Sequence, residues 1–395
     1  MSLLSPARLH RLHEVLAGYV ERDDVPGLVG LVARGDEVHV EALGHQSFGG
    51  EPMRRDTLFR ISSMTKPVTA VAAMILVEEG RVRLDDPVDE LLPELANRKV
   101  LRSLDSELDD TVPANRPITV RDLLTFRLGF GVVLAPPGRY PIQQAIDERE
   151  LAIGPPKPAT PLAPDEWLRR FGELPLLHQP GEKWMYQVGS SLLSVLIERA
   201  SGQPLDVFFA DRIFGPLGMS GTGFVVSEKD LPRFSTAYQP NEQGRLDVYD
   251  GVEDSQWTVP PAFRDGGAGL VSTADDYLAF SRMLLGKGKY GGERILSRPS
   301  VELMTADHLT PEQADSGRLL LGEGRGWGFG MAVVNRHLNA AKPGQFGWDG
   351  GLGTSWAADP AEDLTGVLLT QRSDWPAPWH AKEDFWTAAY AAVDD

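Results

Sequence analysis

The stretch GLVGLVARGDEVHVEAL (residues 27–43) carries the strand pattern from which the fold is predicted. Its first half is almost continuously apolar, as a buried strand is, and its second half alternates, with Val38 and Val40 on one face. The four residues 34–37 (RGDE) between the halves have the composition of a hairpin turn. The stretch therefore predicts two neighbouring antiparallel strands.

The far end of the chain shows a matching pattern, and the middle differs. Strands are predicted over residues 328–335, 353–359 and 364–371, and a helix over 381–393. Helices are predicted over residues 68–79, 119–125, 190–200, 204–212 and 274–285. This order predicts an α+β fold: an antiparallel sheet built from N- and C-terminal segments with flanking helices, plus an inserted, mostly helical domain. The expected domains are residues 1–67 with 288–395, and residues 68–287, with the active site in the cleft between them.

Composition excludes several classes of protein and site. The 395 residues include no cysteine, so disulfides, thiolate zinc sites and cysteine nucleophiles are excluded. A net charge of −17 argues against binding to nucleic acid or to a membrane surface. His10 and His13 have no third metal ligand nearby in the sequence. Because no signal peptide or membrane-spanning stretch is found, we expect a cytoplasmic protein.

One serine has the surroundings of a nucleophile. Ser63 follows a predicted strand, and Lys66 lies three residues later, on the same face of the first helical turn. The helix N-terminus would stabilise an alkoxide, and a buried, uncharged lysine could accept the serine proton. The alternative interpretation is an N-cap serine, Ser62 or Ser63, followed by an exposed lysine. The G-x-S-x-G motif of α/β-hydrolases is absent from the sequence.

The segment FRISSMTKPVTAVAAMILVEEGRVRLDDPV (residues 59–88) resembles the nucleophile segment of the class C β-lactamase-like serine hydrolases. This superfamily includes penicillin-binding DD-peptidases, family VIII carboxylesterases and a fungal statin side-chain acyltransferase. Five further segments resemble later landmarks of the superfamily, in the same order: residues 118–130, 180–205, 215–224, 265–285 and 346–360. The resemblance extends from about residue 27 to residue 371 and implies the β-lactamase/DD-peptidase fold.

The resemblance also implies roles for individual residues. Ser63 matches the acylated nucleophile, Lys66 its general base, and Tyr186 the tyrosine that acts as a phenolate or relays protons to the leaving group. Trp348-Asp349-Gly350 occupies the place of the Lys-Thr-Gly or His-x-Gly strand motif. The following residue, Gly351, would supply one oxyanion-hole N–H and Ser63 the other.

Two departures from the superfamily pattern bear on the substrate. Val188 stands where Tyr-x-Asn enzymes have asparagine, and it cannot hydrogen-bond a substrate amide or hold the lysine. Trp348 replaces the cation that grips the carboxylate of β-lactams and D-Ala-D-Ala peptides, and Asp349 would repel such a carboxylate if it faced the cleft. Arg127 is an alternative anion anchor or a surface arginine, and Lys342 is not expected to reach the site.

We therefore expect a serine carboxylesterase, closest to family VIII, that acts on a small-molecule ester and needs no metal or organic cofactor. The expected pocket residues are Trp348, Asp349, Gly350, Val188, Phe130 and Trp257. The alternatives are a β-lactamase or D-amino-acid peptidase, an acyltransferase using the same acyl-enzyme, a penicillin-binding sensor, or a catalytically silent scaffold. The proline-rich residues 135–164 are expected to form a surface loop or a loop over the active-site cleft. The natural ester and the oligomeric state are not predicted from the sequence.

Overall fold

The computed structural model describes residues 3–338, 340–373 and 379–394. The strands are β1 (Gly27–Arg34), β2 (Glu37–Gly44), β3 (Phe59–Arg60), β4 (Lys99–Leu101), β5 (Thr111–Pro113), β6 (Ala237–Pro240), β7 (Leu246–Asp250), β8 (Val271–Ser272), β9 (Lys289–Tyr290), β10 (Glu293–Arg294), β11 (Arg325–Trp327), β12 (Ala332–Val334), β13 (Phe346–Gly350), β14 (Thr354–Asp359) and β15 (Leu364–Thr370). The helices are α1 (Pro6–Glu21), α2 (Thr65–Glu78), α3 (Val120–Leu124), α4 (Pro141–Glu148), α5 (Pro164–Gly172), α6 (Val188–Ser201), α7 (Leu205–Phe209), α8 (Gly215–Leu217), α9 (Ala274–Leu285), α10 (Arg298–Met304), α11 (Pro311–Ser316), α12 (Arg318–Leu321) and α13 (Ala381–Ala391).

A seven-stranded antiparallel sheet forms the centre of the fold. Its strand order is β11-β12-β13-β14-β15-β1-β2, so the first two strands of the chain extend a sheet made by the last five. β1 pairs with β15 on one side and with β2 on the other. This arrangement confirms the predicted α+β fold with a sheet built from both ends of the chain.

Both faces of β1 are buried, which explains its continuous apolar sequence. Leu28 and Val32 pack toward α1 and α13, whereas Val29 and Leu31 face the main hydrophobic core on the other side of the sheet. Side chains alternate between faces along a strand, so a strand covered on both sides needs apolar residues throughout. Gly30 lies on the same face as Leu28 and Val32, and it lets α1 pack closely there because a Cβ at this position would lie 2.7 Å from the Leu16 side chain.

The inserted part of the chain is mostly helical, as predicted. Its long helices, α2, α6 and α9, coincide within a few residues with the predicted segments 68–79, 190–200 and 274–285. Thr119 begins α3 with a capping box to Asp122, and Thr273 caps α9 by accepting from the backbone N–H of Asp276. The helix predicted over residues 204–212 consists of two parts in the structure, α7 over Leu205–Phe209 and a turn of π-helix over Ala210–Phe214 that continues it.

Two details of the prediction are wrong. The strand predicted over residues 328–335 is confined to β12, and the neighbouring strand β11 was not predicted. The proline-rich residues 135–164 are not loop throughout, because Pro141 begins α4 and Pro164 begins α5. Proline is favoured in the first turn of a helix, where its missing N–H costs no hydrogen bond.

Candidate active site

Ser63 lies in one turn of 3-10 helix, Ser62–Met64, which connects β3 to α2. Two hydroxyl groups fix this turn: Thr65 Oγ1 donates to the Ser62 carbonyl over 2.7 Å, and the buried Tyr277 hydroxyl donates to the last carbonyl of the turn over 2.6 Å. Ser62 has a φ of 48°, a left-handed conformation that costs energy in a non-glycine residue. The chain is therefore held in a strained turn directly before Ser63.

Lys66 is fully buried in the first turn of α2, and its amine contacts three polar groups. Lys66 Nζ lies 2.9 Å from Ser63 Oγ, 2.8 Å from Gln187 Oε1 and 2.7 Å from the Gly267 carbonyl oxygen. Burial lowers the pKa of Lys66 to about 7, although the charge of Asp265 opposes this shift. A large share of the lysine is therefore uncharged near neutral pH, as a general base requires.

Tyr186 connects the serine to the sheet. Its hydroxyl oxygen accepts a hydrogen bond from Trp348 Nε1 over 2.7 Å and also hydrogen-bonds with Ser63. Lys66 Nζ lies 4.6 Å from the centroid of the Tyr186 ring. Burial raises the pKa of Tyr186 above its ordinary value, against the opposite effect of the hydrogen bonds to Ser63 and Trp348. The phenol is surrounded by the aromatic rings of Phe126, Trp184, Trp327 and Trp348.

The last residues of β13 closely approach the turn that carries Ser63. A Cβ on Gly350 would lie 2.3 Å from the carbonyl oxygen of Ile61, so a larger residue would push the strand away from Ser63. Gly351 follows at the end of the strand, where a Cβ would meet no atom within 4 Å. The backbone at Gly351 therefore borders open space beside the turn that carries Ser63.

Asp349 is not brought to Ser63, because it points to the opposite face of β13 from Trp348. Its carboxylate accepts a hydrogen bond from Ser355 over 2.6 Å and pairs with Lys382 of α13 at 3.0 Å. Burial acts to raise the pKa of Asp349, but the positive charges of Lys382 and Arg325 hold it below its ordinary value. Asp349 therefore ties β13 to Ser355 and to α13, on the face of the sheet opposite Trp348.

The other expected pocket residues are distributed differently. Val188 begins α6 and lines a small cavity next to Gln187. Phe130 is fully buried in the main core against Phe171, with ring centroids 5.0 Å apart. Trp257 is also fully buried, and its Nε1 donates to a backbone carbonyl over 2.9 Å. The structure thus places Val188 beside the site, and Phe130 and Trp257 in the packed interior.

The two alternative cations are engaged elsewhere. Arg127 donates to Gln313 Oε1 over 3.3 Å and lines an open groove on the helical part of the chain. Lys342 forms an ion pair with Glu362. The structure brings neither of them to Ser63.

Sequence reasoning missed two groups that hold Lys66, namely Gln187 Oε1 and the Gly267 carbonyl. The signal for Gln187 lies in the sequence Tyr186-Gln187-Val188, in which the Tyr-x-Asn pattern directs attention to the third residue as the partner of the lysine. The glycine-rich residues 265–269 (DGGAG) gave a weaker signal for a close backbone approach.

Neither a metal centre nor a membrane-spanning helix is found in the described parts of the chain. No group of three or more His, Asp or Glu side chains there could hold a metal ion. No helix there is both long and apolar enough to cross a bilayer.

Comparison with known proteins identifies relatives of the whole chain. Residues 12–391 match the Beta-lactamase family. Protein Rv1367c of Mycobacterium tuberculosis is 41% identical over 85% of this chain and 82% of its own length. Esterase EstB of Burkholderia gladioli is 32% identical over 91% of this chain and 89% of its own. The solved structure of EstCE1, described as a hydrolase with promiscuous acyltransferase activity, is 27% identical, has a TM-score of 0.79 and covers 98% of both chains.

Proposed function

The chain belongs to the Beta-lactamase family, and from that membership we propose that it hydrolyses carboxylic esters through an acyl-enzyme on Ser63. Lys66 is the general base that activates the serine, and Tyr186 relays a proton to the leaving alcohol. The proposal rests on the hydrogen bonds around Ser63 and on the esterase named among the relatives.

The observation that carries the proposal is the set of acceptors around Lys66. An uncharged amine has two hydrogens and one lone pair. Gln187 Oε1 and the Gly267 carbonyl can only accept, so they take both hydrogens. The lone pair is then directed at the third neighbour, Ser63 Oγ, which lies 2.9 Å away. This is the arrangement that a base needs in order to remove the serine proton.

The hydrogen bond that Tyr186 accepts also supports proton transfer from Ser63 to Lys66. The indole N–H of Trp348 can only donate, so the Tyr186 oxygen accepts it. The phenol hydrogen therefore remains available to the leaving oxygen, while in the proposed active form the Ser63 hydrogen points at Lys66. Because the pKa of Tyr186 is raised, its phenol stays protonated and acts as a relay rather than as a phenolate base.

Acylation then proceeds with a complete proton balance. Ser63 Oγ attacks the ester carbonyl carbon while its proton moves to Lys66 Nζ. The C–O bond to the alcohol breaks, and the alcohol oxygen leaves with a proton supplied through Tyr186, which Lys66 replaces. Water then attacks the acyl-enzyme by the reverse sequence, releasing the carboxylic acid and restoring Ser63.

The backbone N–H groups of Ser63 and Gly351 are the proposed oxyanion-hole donors. The support is positional: β13 packs against the nucleophile turn at Gly350, and Gly351 borders open space directly beyond it. Two fixed donors aimed at a developing oxyanion contribute several kcal/mol of transition-state stabilisation, about 3 kcal/mol each.

Esters are preferred over β-lactams in this proposal because the usual carboxylate anchor is replaced. Trp348 presents an indole that is already bonded to Tyr186, and Asp349 faces the back of the sheet. Arg127 and Lys342 are paired elsewhere. A substrate that depends on a bound carboxylate would therefore lose its main polar contact.

Acyl transfer to an alcohol is the second candidate, favoured by the described activity of EstCE1. The same Ser63 acyl-enzyme serves both reactions, since an alcohol can replace water as the attacking group. Adding a primary alcohol during ester turnover separates them, because a transferase forms the new ester and a strict hydrolase forms only the acid.

The proposal is tested by turnover of p-nitrophenyl acetate, p-nitrophenyl butyrate and a chromogenic cephalosporin. The enzymes compared are wild type, Ser63→Ala and Ser281→Ala. Ser281 is a matched control, being a fully buried serine whose hydroxyl is bonded to Thr365 of β15 and not to Lys66. We expect the first variant to lose at least about a thousandfold in kcat on esters and the control to keep wild-type rates.

Two results would contradict the proposal. Equal ester hydrolysis by wild type and Ser63→Ala would remove Ser63 from the mechanism. Cephalosporin turnover that equals or exceeds ester turnover would overturn the substrate argument based on Trp348.

A further inference from the structure

A short segment, residues 265–270 (DGGAGL), brings a backbone carbonyl group to Lys66. The carbonyl oxygen of Gly267 accepts a hydrogen bond from Lys66 Nζ over 2.7 Å, across 201 positions of the chain. It is one of the two acceptors that direct the lone pair of the uncharged amine at Ser63 in the proposed mechanism. The direction of that lone pair therefore depends on how firmly the segment is held.

Two helices hold the first glycine of the segment. The N–H of Gly266 donates to Ser194 Oγ of α6 over 2.8 Å, and the Gly266 carbonyl oxygen accepts from Thr69 Oγ1 of α2 over 2.7 Å. A Cβ on Gly266 would lie 2.5 Å from Thr69 Oγ1, so glycine allows the segment to approach α2 this closely. The backbone is therefore fixed directly before Gly267.

The side chain of Asp265 holds the second glycine. Asp265 Oδ1 accepts hydrogen bonds from the backbone N–H of Gly267 and from the Ser191 hydroxyl, each over 2.8 Å. The Asp265 carbonyl oxygen also accepts from the N–H of Gly269 over 2.9 Å, which closes a tight turn. Gly267 thus bonds a carboxylate through its N–H and the amine of Lys66 through its carbonyl. Because hydrogen bonds to a charged acceptor are strong, Asp265 fixes the residue that Lys66 contacts.

Proton transfer creates a positive charge at a fully buried position. When Lys66 takes the proton of Ser63, its amine becomes an ammonium group. The other two groups within hydrogen-bond distance, Gln187 Oε1 and the Gly267 carbonyl oxygen, carry no net charge. An isolated buried charge is costly, so an opposite charge nearby lowers the energy of the state that the transfer produces.

Asp265 supplies that opposite charge. In the described part of the chain it is the only charged group that acts on the pKa of Lys66, and it raises this pKa. The phenols of Tyr186 and Tyr277 stay uncharged because burial raises the pKa of each. Asp349 lies on the opposite face of β13. The carboxylate that can stabilise a charged Lys66 is therefore that of Asp265.

We propose that Asp265 is a positioning residue for the reaction at Ser63: its carboxylate holds the Gly267 carbonyl against Lys66 and stabilises the ammonium group that forms when Lys66 takes the serine proton. This inference rests on the proposed function and adds a residue to it. The carboxylate acts through Gly267 and through its charge, and it neither gains nor loses a proton.

Two substitutions separate the two parts of this role. Asp265→Asn keeps an oxygen that can accept from Gly267 but removes the charge, whereas Asp265→Glu keeps the charge but displaces the carboxylate by one methylene. Asp276→Asn is the matched control, because Asp276 also accepts from a glycine N–H and from a hydroxyl, those of Gly221 and Thr222, each over 2.8 Å. For wild type and each variant, kcat/KM for p-nitrophenyl butyrate is measured as a function of pH, together with urea unfolding.

We expect the midpoint of the pH–rate curve to move to lower pH in Asp265→Asn, because an ammonium group without a nearby carboxylate loses its proton more readily. The rate of this variant at high pH should fall by no more than about threefold, since the hydrogen bond to Gly267 remains. Asp265→Glu should keep a midpoint near 7 and lose about 3- to 10-fold in rate at high pH, because the Gly267 carbonyl is no longer fixed. Asp276→Asn should match wild type in both quantities.

A purely structural role for Asp265 would lower the free energy of unfolding and leave the midpoint of Asp265→Asn in place. A midpoint of Asp265→Asn at or above the wild-type value would overturn the inference, and so would a wild-type rate of Asp265→Glu at high pH. Because each variant tests a separate part, one that does not fold leaves the other decisive. Failure of the proposed function looks different, since wild type and Ser63→Ala would then hydrolyse the ester equally at every pH.

Discussion

At the residue scale, burial decides the chemistry of the two titratable groups beside Ser63. The amine of Lys66 loses its hydration and with it much of its tendency to hold a proton, whereas the phenol of Tyr186 holds its proton more firmly. The same apolar surroundings thus favour an uncharged amine and a protonated phenol, which are the states that the proposed general base and the proposed proton relay require.

This difference predicts the pH dependence of ester hydrolysis. The pKa of Lys66 is lowered to about 7, and the uncharged amine is the active form, so kcat/KM should rise with pH through a midpoint near 7. Because the pKa of Tyr186 is raised, no fall in rate is expected up to about pH 9. Initial rates corrected for spontaneous hydrolysis provide the measurement. A rate that falls as pH rises from 6 to 8 would exclude an uncharged Lys66 as the base.

The residues of the site differ in how far the sequence predicts them. Ser63 and Lys66 are recognisable because three residues is one helical turn, and the structure places their side chains in contact. Gln187 was missed because its contact with Lys66 depends on a positive φ, which the sequence gives no reason to expect in glutamine. Trp257 was expected in the pocket as one of several aromatic residues that would make it apolar, and the structure places it in the core.

At the scale of the element, the two faces of β13 make different contacts. Trp348 points to Tyr186, while the next residue, Asp349, points to Ser355 and α13. Consecutive side chains on a strand cannot share a face, so Trp348 and Asp349 could not both line the cleft. This physical rule was available from the sequence once residues 346–350 are recognised as a strand.

The two faces of β13 predict different effects of substitution. Trp348→Phe keeps an aromatic ring but removes the donor to Tyr186 and part of the buried indole, so kcat should fall about 3- to 10-fold, and the lost packing should also lower the free energy of unfolding. Asp349→Asn weakens the contact with Lys382, so the free energy of unfolding should fall by about 1–3 kcal/mol while kcat stays within about twofold. Steady-state kinetics and urea unfolding of both variants provide the test. The reverse pattern would mean that the strand presents its faces the other way round.

The proline-rich residues 135–164 show why loops are hard to predict from composition. Eight prolines suggested irregular chain, yet Pro141 and Pro164 each begin a helix. The remaining residues, around 151–160, do line the cavity beside Gln187. Whether a proline breaks or begins a helix depends on its position in the first turn, which composition does not specify.

At the scale of the whole molecule, the two ends of the chain are parts of one structure. β1 lies between β15 and β2, and α1 packs with α13 over the same sheet face. The strands predicted within residues 27–43 and over residues 353–359 and 364–371 match β1, β2, β14 and β15 to within one residue, because alternating and continuous apolar patterns report burial directly. The order of strands was not predictable, since pairing between residues more than 300 positions apart leaves no local signal in the sequence.

This architecture predicts that the back of the sheet supports stability rather than catalysis. Phe385 of α13 is fully buried against the sheet, next to Gly30 and Gly366. Phe385→Ala should lower the free energy of unfolding by about 3–5 kcal/mol and leave kcat/KM of the folded enzyme within about twofold. Leu319→Ala, at a side chain that is 88% exposed, is the control and should change stability by less than about 0.5 kcal/mol. A loss of kcat/KM in folded Phe385→Ala would show that the back face is coupled to the site.

The covalent state of Ser63 during turnover tests the central claim most directly. Wild type and Ser63→Ala are mixed with p-nitrophenyl butyrate, quenched with acid within the first turnovers, and analysed by intact mass and peptide mapping. The account predicts one butyryl group on the peptide that contains Ser63 in wild type, and none in Ser63→Ala. Butyryl on another residue, or rapid ester turnover with no acylated enzyme at any quench time, would contradict it.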